Sequence, residues 1–295
     1  MRDASRTVLI TGCSSGIGQQ SARRLAAAGW TVYATARRPD SIADLAEAGC
    51  ETLSLDVTDE ASMAAAVERV EAASGPIGAL VNNAGYSQSG AVETLPMERL
   101  RAQFETNVFG LVRMCQLVLG GMRRAGFGRI VNISSMGGKM TFPGGGAYHG
   151  SKYAVEALSD ALRFEVRGFG VDVVVIEPGL IKTRFAETAA SSLGAADGPA
   201  GEGAEADHDD PYAGFNAAVG AATVGAYEGP MARLGGGPDA VAKVIQRALE
   251  ARTPRPRYKV TASARLIIAQ RRLLGDRAWD AFLGSQFPKP GAPSE

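Results

Sequence analysis

Short runs of aliphatic and β-branched residues recur along the chain, each followed by a stretch whose apolar residues fall at helical spacing. Residues 7–11 (TVLIT), 31–35 (TVYAT), 52–55 (TLSL), 79–82 (ALVN), 129–133 (RIVNI) and 171–176 (VDVVVI) read as strands, and residues 257–260 (RYKV) as a last one. Between them lie helical patterns over residues 19–29, closed by Gly29, over residues 59–73, over residues 97–122 and from Tyr148 onwards. Further helices are expected over residues 238–252 and, as one amphipathic piece, over residues 266–283. Near-continuous apolar strands alternating with helices predict an α/β fold, a single doubly wound parallel sheet with helices on both faces.

The pattern breaks after residue 185. Residues 189–211 are rich in Ala, Gly, Asp and Glu, with almost no large apolar side chain, and are expected to form a mobile loop within an insertion at about residues 186–236. Following the sixth strand, this loop would lie on the substrate side, and residues 189–212 read either as a lid over an apolar pocket or as a solvated surface insertion. Phe215, Val219, Val224, Tyr227 and Met231, with Met140 and Phe142 opposite, are apolar enough to line a pocket under it. The basic amphipathic stretch with Arg271, Arg272 and Arg277 is expected to pack as a C-terminal cover over about residues 262–290 rather than on a membrane. No repeat and no second domain is legible, so residues 1–295 are read as one Rossmann-type domain.

Composition narrows the function classes. Formal net charge is zero and the isoelectric point is near 6.8, which gives no electrostatic footprint for nucleic acid. Cys13, Cys50 and Cys115 form no metal-ligand or disulfide spacing, so no metal is expected. No apolar run approaches the roughly 18 residues of a membrane span. The N-terminal residues run directly into the first strand without a signal-peptide core, so a cytoplasmic location is expected.

The chemistry begins in the turn after the first strand. Gly12, Cys13, Ser14, Ser15, Gly16, Ile17 and Gly18 connect that strand to a helix. Glycines there let the backbone approach a pyrophosphate resting on the helix N-terminus. At the end of the second strand, the acid that would hold the ribose hydroxyls of NAD is missing. Ala36, Arg37 and Arg38 stand in its place, and a guanidinium suits the 2′-phosphate of NADP. Pro178, Gly179, Ile181 and Thr183 follow the sixth strand, at the carboxyl edge where open α/β sheets bind ligands.

A second cluster surrounds Ser135, Tyr148 and Lys152. Tyr148 and Lys152 are spaced to share one face of a helix, so the ammonium should lie near the phenol and draw its pKa down towards neutrality. A serine hydroxyl can hold a substrate oxygen against the same phenol. Such a site is suited to moving a proton on or off an alcohol oxygen. Asn107 and Gly110, inside the apolar pattern of residues 97–122, weaken a helix and call for a reason. His149, beside Tyr148, is expected at the surface of the helix start.

Taken together, these residues resemble the short-chain dehydrogenase/reductase family over about residues 5–185. Gly12 to Gly18 is similar to its TGxxxGxG loop, and Pro178 to Thr183 to its PGxxxT motif. TGCSSGIG followed by VYATARR looks nearest to the NADP-preferring hydroxysteroid and retinol dehydrogenase-like branch. The resemblance implies that Asp56, with Val57, contacts the adenine. It likewise places Asn83, Ala84 and Gly85 in the NNAG segment along the cofactor, and Asn107, Ser135, Tyr148 and Lys152 in a catalytic tetrad. In that tetrad Ser135 orients the carbonyl and Tyr148 exchanges the proton. Lys152 lowers the tyrosine's pKa and binds the nicotinamide ribose, and Asn107 holds a water that links Lys152 to solvent.

The implied function is an NADP(H)-dependent oxidoreductase acting on a small apolar alcohol or ketone, in a homodimer or homotetramer. Two other classes share the pattern: a redox-neutral epimerase or dehydratase of the same fold, and a non-catalytic NADP(H)-binding regulator. The intact Ser135 and Tyr148 count against the regulator, and net consumption of NADPH separates the first two.

Overall fold

The computed structural model describes residues 5–183, 188–189, 192–193 and 211–290. The candidate lid at residues 189–212 therefore lies almost wholly outside the described residues.

Seven strands form one parallel sheet in the order β3-β2-β1-β4-β5-β6-β7. They are β1 (Thr7–Ile10), β2 (Thr31–Ala36), β3 (Glu51–Ser54), β4 (Ala79–Asn82), β5 (Gly128–Ile133), β6 (Val171–Pro178) and β7 (Arg257–Val260). The chain moves outward from β1 to β3 and then returns to place β4 beside β1. That reversal opens a crevice at the carboxyl ends of β1 and β4, where such sheets take their ligands.

Helices cover both faces. On one side α1 (Gly16–Ala27), the short α2 (Ala43–Glu47) and a later helix, Pro238–Glu250, bury Leu25, Ile42, Leu45, Val241 and Ile245 against the strands. On the other, α3 (Glu60–Ser74), α4 (Met97–Phe104), α5 (Gly110–Ala125) and α6 (Gly146–Val166) contribute Met63, Val67, Met114, Val118 and Val155. The central strands β1, β4 and β5 are buried along their whole length, as the unbroken apolar runs required. Removing a side chain such as Leu25 or Met114 down to alanine would cost roughly 2–5 kcal/mol. The start of α3 follows sequence logic directly, because the Asp59 carboxylate accepts the Ala61 N–H at 3.0 Å.

Two expected helices are broken, each for a visible reason. The helix expected over residues 97–122 is α4 and α5 joined by a π-helical turn, Glu105–Phe109, which carries Asn107. The extra residue in a π turn re-aims a side chain without ending the helix. Gly110 follows because a β-carbon there would lie 2.3 Å from the Val57 carbonyl oxygen; α5 packs on that loop through its backbone. The amphipathic stretch near the C-terminus is two helices, Ala262–Leu273 and Asp276–Gly284, separated where Leu274 and Gly275 turn extended. Ile268 and Trp279 are buried, and Trp279 packs on Phe142 with ring centroids 6.0 Å apart, so this segment does cover the body of the protein.

In the insertion, α7 (Ala213–Glu228) is a helix that the sequence pattern did not reveal, since its alanines and glycines carry little periodicity. Its anchor is Val219, packed so closely on the loop before α6 that a β-carbon on Gly144 would meet Val219 Cγ1 at 2.6 Å. The expected pocket lining divides. Val219 and Met140 are buried, whereas Val224 and Met231 are exposed. Among the described residues, no helix is long and apolar enough to cross a membrane.

Candidate active site

The glycine turn sits at the crevice. Gly12 has φ +72°, open to glycine at little cost, and its neighbour across the crevice is the backbone of Ala84. The segment Asn83-Ala84 is itself pinned to β1. Thr11 Oγ1 accepts both the Asn83 and Ala84 N–H at 3.0 Å, and Asn83 Nδ2 donates to the carbonyls of Thr11 and Gly12 at 3.0 and 2.9 Å. A β-carbon on Gly18 would strike the Gly12 carbonyl oxygen at 2.4 Å, which fixes the packing of α1 on the turn.

Ser15 opens α1 without a side-chain cap, so its first-turn amides keep their donors for a ligand. Gly16, at φ +60°, would bring a β-carbon within 3.2 Å of Thr183 Cγ2. The two loops expected to flank the cofactor, Gly12 to Gly18 and Pro178 to Thr183, therefore meet. Ile181 is buried and bridges to Gly236, which ties the second loop to the chain beyond the insertion.

Arg37 and Arg38 leave the end of β2 exposed. Neither guanidinium has a hydrogen bond or ion pair to another described residue. Asp56 Oδ1 accepts from the Thr58 amide at 3.0 Å and from its hydroxyl at 2.8 Å, and Val57 beside it is buried. Uncapped helix amides, a glycine cradle that side chains would fill, two guanidiniums without a partner among the described residues and the Asp56 carboxylate together offer donors and an acceptor that fit a dinucleotide cofactor.

Ser135, Tyr148 and Lys152 converge past the ends of β5 and β6. Ser135 opens a short 3-10 turn, Met136–Gly138, and its Oγ accepts the Gly137 N–H at 3.0 Å. The same hydroxyl is hydrogen-bonded to the Tyr148 phenol. The expectation that Lys152 draws the phenol towards neutrality is not met. Burial is the dominant influence and pushes the Tyr148 phenol well above its ordinary value; the Ser135 hydrogen bond lowers it, and Tyr227 raises it.

Lys152 is buried, with Nζ donating to the Ile133 carbonyl at 2.8 Å and lying 5.9 Å from the Tyr148 ring centroid. Burial lowers its pKa to about 8, against a smaller raising effect of Glu156.

Asn107 is buried in the π turn, where both side-chain N–H groups are taken, by the Tyr86 carbonyl and by Ser151 Oγ, each at 3.0 Å. Its Oδ1 accepts the Tyr86 N–H at 3.1 Å. The amide thus clamps the strand extension Asn83 to Tyr86 onto α6, and has no N–H left for a water. Gly85, exposed between them, sits where a β-carbon would be 3.0 Å from Asn107 Oδ1 and 3.7 Å from Lys152 Nζ.

His149 corrects a second expectation: it is buried, not on the surface. Nδ1 accepts the Phe142 N–H at 3.1 Å, and burial lowers the imidazole to about 4, so it is a neutral spacer holding the 136–145 loop.

Two further neighbours adjoin the site. Tyr227, which the sequence offered only as apolar pocket lining, reaches the surroundings of Tyr148 from α7, and burial pushes its own phenol up to about 12. Thr261 adopts φ +86°, and a β-carbon on Gly179 would meet its Oγ1 at 2.5 Å and Ser263 Oγ at 2.4 Å. Neither has a motif around it. Only the glycine after Pro178 hinted that another backbone comes close there.

Known proteins are similar in sequence and fold. The family model for short chain dehydrogenases matches residues 6–193. The NADPH-dependent 3-dehydrocapnine reductase of Ornithobacterium rhinotracheale is 34% identical over 293 residues, 96% of this chain and 98% of that protein. Human 17-beta-hydroxysteroid dehydrogenase type 1 is 41% identical over 196 residues, 62% of this chain and 59% of the human protein. A short-chain dehydrogenase from Streptomyces avermitilis superposes with a TM-score of 0.75 at 34% identity, covering 96% of each chain. With its parallel seven-stranded sheet, its glycine turn at the switch point and its serine, tyrosine and lysine beyond β5, the chain belongs to the short-chain dehydrogenase/reductase family of oxidoreductases.

Proposed function

We propose that this protein is an NADP(H)-dependent oxidoreductase that reduces an apolar ketone, or oxidises the matching secondary alcohol, with Tyr148 as general acid and base. The observation that carries this reading is the half-buried Tyr148, its phenol hydrogen-bonded to Ser135 and one helical turn from the buried Lys152. A phenol carries its proton at neutral pH, the form that an acid for ketone reduction needs, and burial acts in the same direction.

In this reading the glycine turn and the first amides of α1 hold the pyrophosphate. Asp56 and Val57 receive the adenine, Asn83 to Gly85 and Pro178 to Thr183 flank the rest, and Arg37 and Arg38 pair with the 2′-phosphate. The bound nicotinamide supplies the hydride. Ser135 Oγ and the Tyr148 hydroxyl hold the carbonyl oxygen from two sides, and Tyr148 gives it a proton as the alkoxide forms. Lys152 would turn between the Ile133 carbonyl and the ribose hydroxyls. Asn107 keeps Gly85 and the Tyr86 backbone at the correct distance from Lys152.

An apolar substrate is supported by the side chains gathered beside Tyr148 and the loop before it, where Val219 and Tyr227 come from α7 and Phe142 from that loop. The name of the 3-dehydrocapnine reductase, an NADPH-dependent relative, supports ketone reduction and the cofactor. We read residues 1–295 as a single domain, acting in the cytoplasm. Exposed Met97, Phe109, Leu158 and Phe164, on α4, the π turn and α6, offer the contact for a homodimer or homotetramer. The test is NADPH oxidation with a series of aliphatic and aromatic ketones, beside Tyr148→Phe. Absence of ketone-dependent NADPH consumption across the series would overturn the reading.

A further inference from the structure

Below the Tyr148–Lys152 turn, α6 carries another buried ionisable residue that the chemistry above leaves unused. Glu156, one turn beyond Lys152, is 3% exposed, and Glu177, next to last in β6, is 0% exposed. Both face the same two cations. Lys139 Nζ lies 2.7 Å from Glu156 Oε2 and 4.0 Å from Glu177 Oε1. Arg257 Nε lies 2.9 Å from Glu156 Oε2 and 3.4 Å from Glu177 Oε1.

The two carboxyls are served unequally. Glu156 Oε2 accepts the Arg257 hydrogen bond, while Glu156 Oε1 and both oxygens of Glu177 have no hydrogen-bond partner. Ser134 Oγ, which shares the space around Gly138 with Glu156, has none either. Two buried carboxylates side by side repel each other, and an ionised oxygen without a donor is costly in a dry site. A proton on Glu177 removes the repulsion and supplies an O–H donor beside unpartnered carboxyl oxygens. Burial and the neighbouring Glu156 both push Glu177 upward, against Lys139, Arg257 and Lys259.

The remaining charged groups around the pair are accounted for. Asp160 on α6 is paired with Arg163 and with Arg257. Lys259 stands opposite Glu177 in the β6–β7 register. Lys152 and the Tyr148 phenol lie on the turn above.

We propose that the buried Glu156–Glu177 pair holds one proton between its two carboxyls, and that Glu156 is a positioning residue that supports the charge on Lys152. Burial draws Lys152 down to about 8, and Glu156 opposes that. Without Glu156, Lys152 would lose its proton at a lower pH and hold the ribose hydroxyls less well. This inference rests on the cofactor-holding role given to Lys152 above.

Two measurements test it. Infrared spectra of the folded protein at neutral pH should contain the carbonyl band of a buried protonated carboxylic acid, absent in Glu177→Gln. No such band in the wild type, or its persistence in Glu177→Gln, overturns the shared proton. NADPH binding followed by fluorescence should weaken at alkaline pH. That limb should move down by about one pH unit in Glu156→Gln, return in Glu156→Asp, and stay in place in Glu177→Gln, which imitates the protonated acid. An unmoved limb in Glu156→Gln, even with a lower melting temperature, reduces the pair to a structural role. Should the wild type fail to bind NADPH, the cofactor assignment falls, and the infrared spectrum still decides the proton.

Discussion

A β-carbon on Gly12 would lie 2.8 Å from the α-carbon of Ala84, so the loops after β1 and β4 touch backbone to backbone at the switch point of the sheet. Gly12→Ala meets both that contact and the φ of +72°, where an L residue pays about 1–2 kcal/mol. The turn must open, and the cradle opens with it. NADPH affinity is expected to fall at least about tenfold, each ~1.4 kcal/mol being a factor of ten. Unaltered NADPH binding by this variant would show that the turn does not carry the cofactor.

Arg37 is exposed at the end of β2 and has no described partner, so its charge is available to a 2′-phosphate. Arg37→Ala should weaken NADPH by roughly ten- to a hundredfold and leave NADH use unchanged, the range of one charge-assisted contact. Steady-state kcat/KM for both cofactors checks it. Equal or better use of NADH by the wild type would reverse the cofactor assignment.

Tyr148→Phe removes one hydroxyl from a well-packed helix start. Turnover should drop by ~10² or more while NADPH affinity and the circular dichroism spectrum stay as they were. A variant that keeps most of its ketone reductase rate would move the proton donor elsewhere.

His149 gives an acid limb to stability. Its folded pKa is lowered from the ordinary 6.5 to about 4, so between those values the unfolded chain binds a proton that the folded protein does not. Stability conferred by the neutral form is complete above pH 6.5 and is lost as pH falls towards 4, by on the order of 2–3 kcal/mol. His149→Asn keeps an acceptor for the Phe142 amide and cannot titrate there. Its melting temperature should depend less on pH in that window than the wild type's; identical slopes would assign the acid limb to other groups.

Cys13 sits inside the cofactor turn, yet burial pushes its thiol up to about 12, as it does for Cys115, and Cys50 is raised as well. The thiolate is the reactive form. All three should resist alkylation at pH 8 in the native protein and react on unfolding. Rapid native labelling of Cys13, suppressed by NADPH, would mean that the turn breathes far more than its packing implies.

How far the chain could be read depended on where the information is stored. The unbroken apolar runs determined seven strands and a sheet covered on both faces, because a parallel strand buried on both sides has no polar positions to alternate with. Gly12 to Gly18, Ser135, Tyr148 and Lys152 were legible because their chemistry demands particular residue types at fixed local spacing, which helix geometry then carries to one face. Contacts distant in sequence were not legible. The π turn that aims Asn107 runs into Gly110, which packs on the Val57 backbone, and α7 is placed by Val219 against Gly144 rather than by its own period. Burial reversed two electrostatic expectations. Tyr148 is pushed up rather than drawn down, and His149 lies inside, because solvent access is fixed only when α6, the 136–145 loop and Trp279 close together. Glu156 and Glu177 are 21 positions apart on a helix and a strand, and nothing in either neighbourhood marks them. The sequence determined which groups could do chemistry and the sheet edge where they gather. Tertiary packing decided which of them are dry, which are paired, and so which hold a proton at neutral pH.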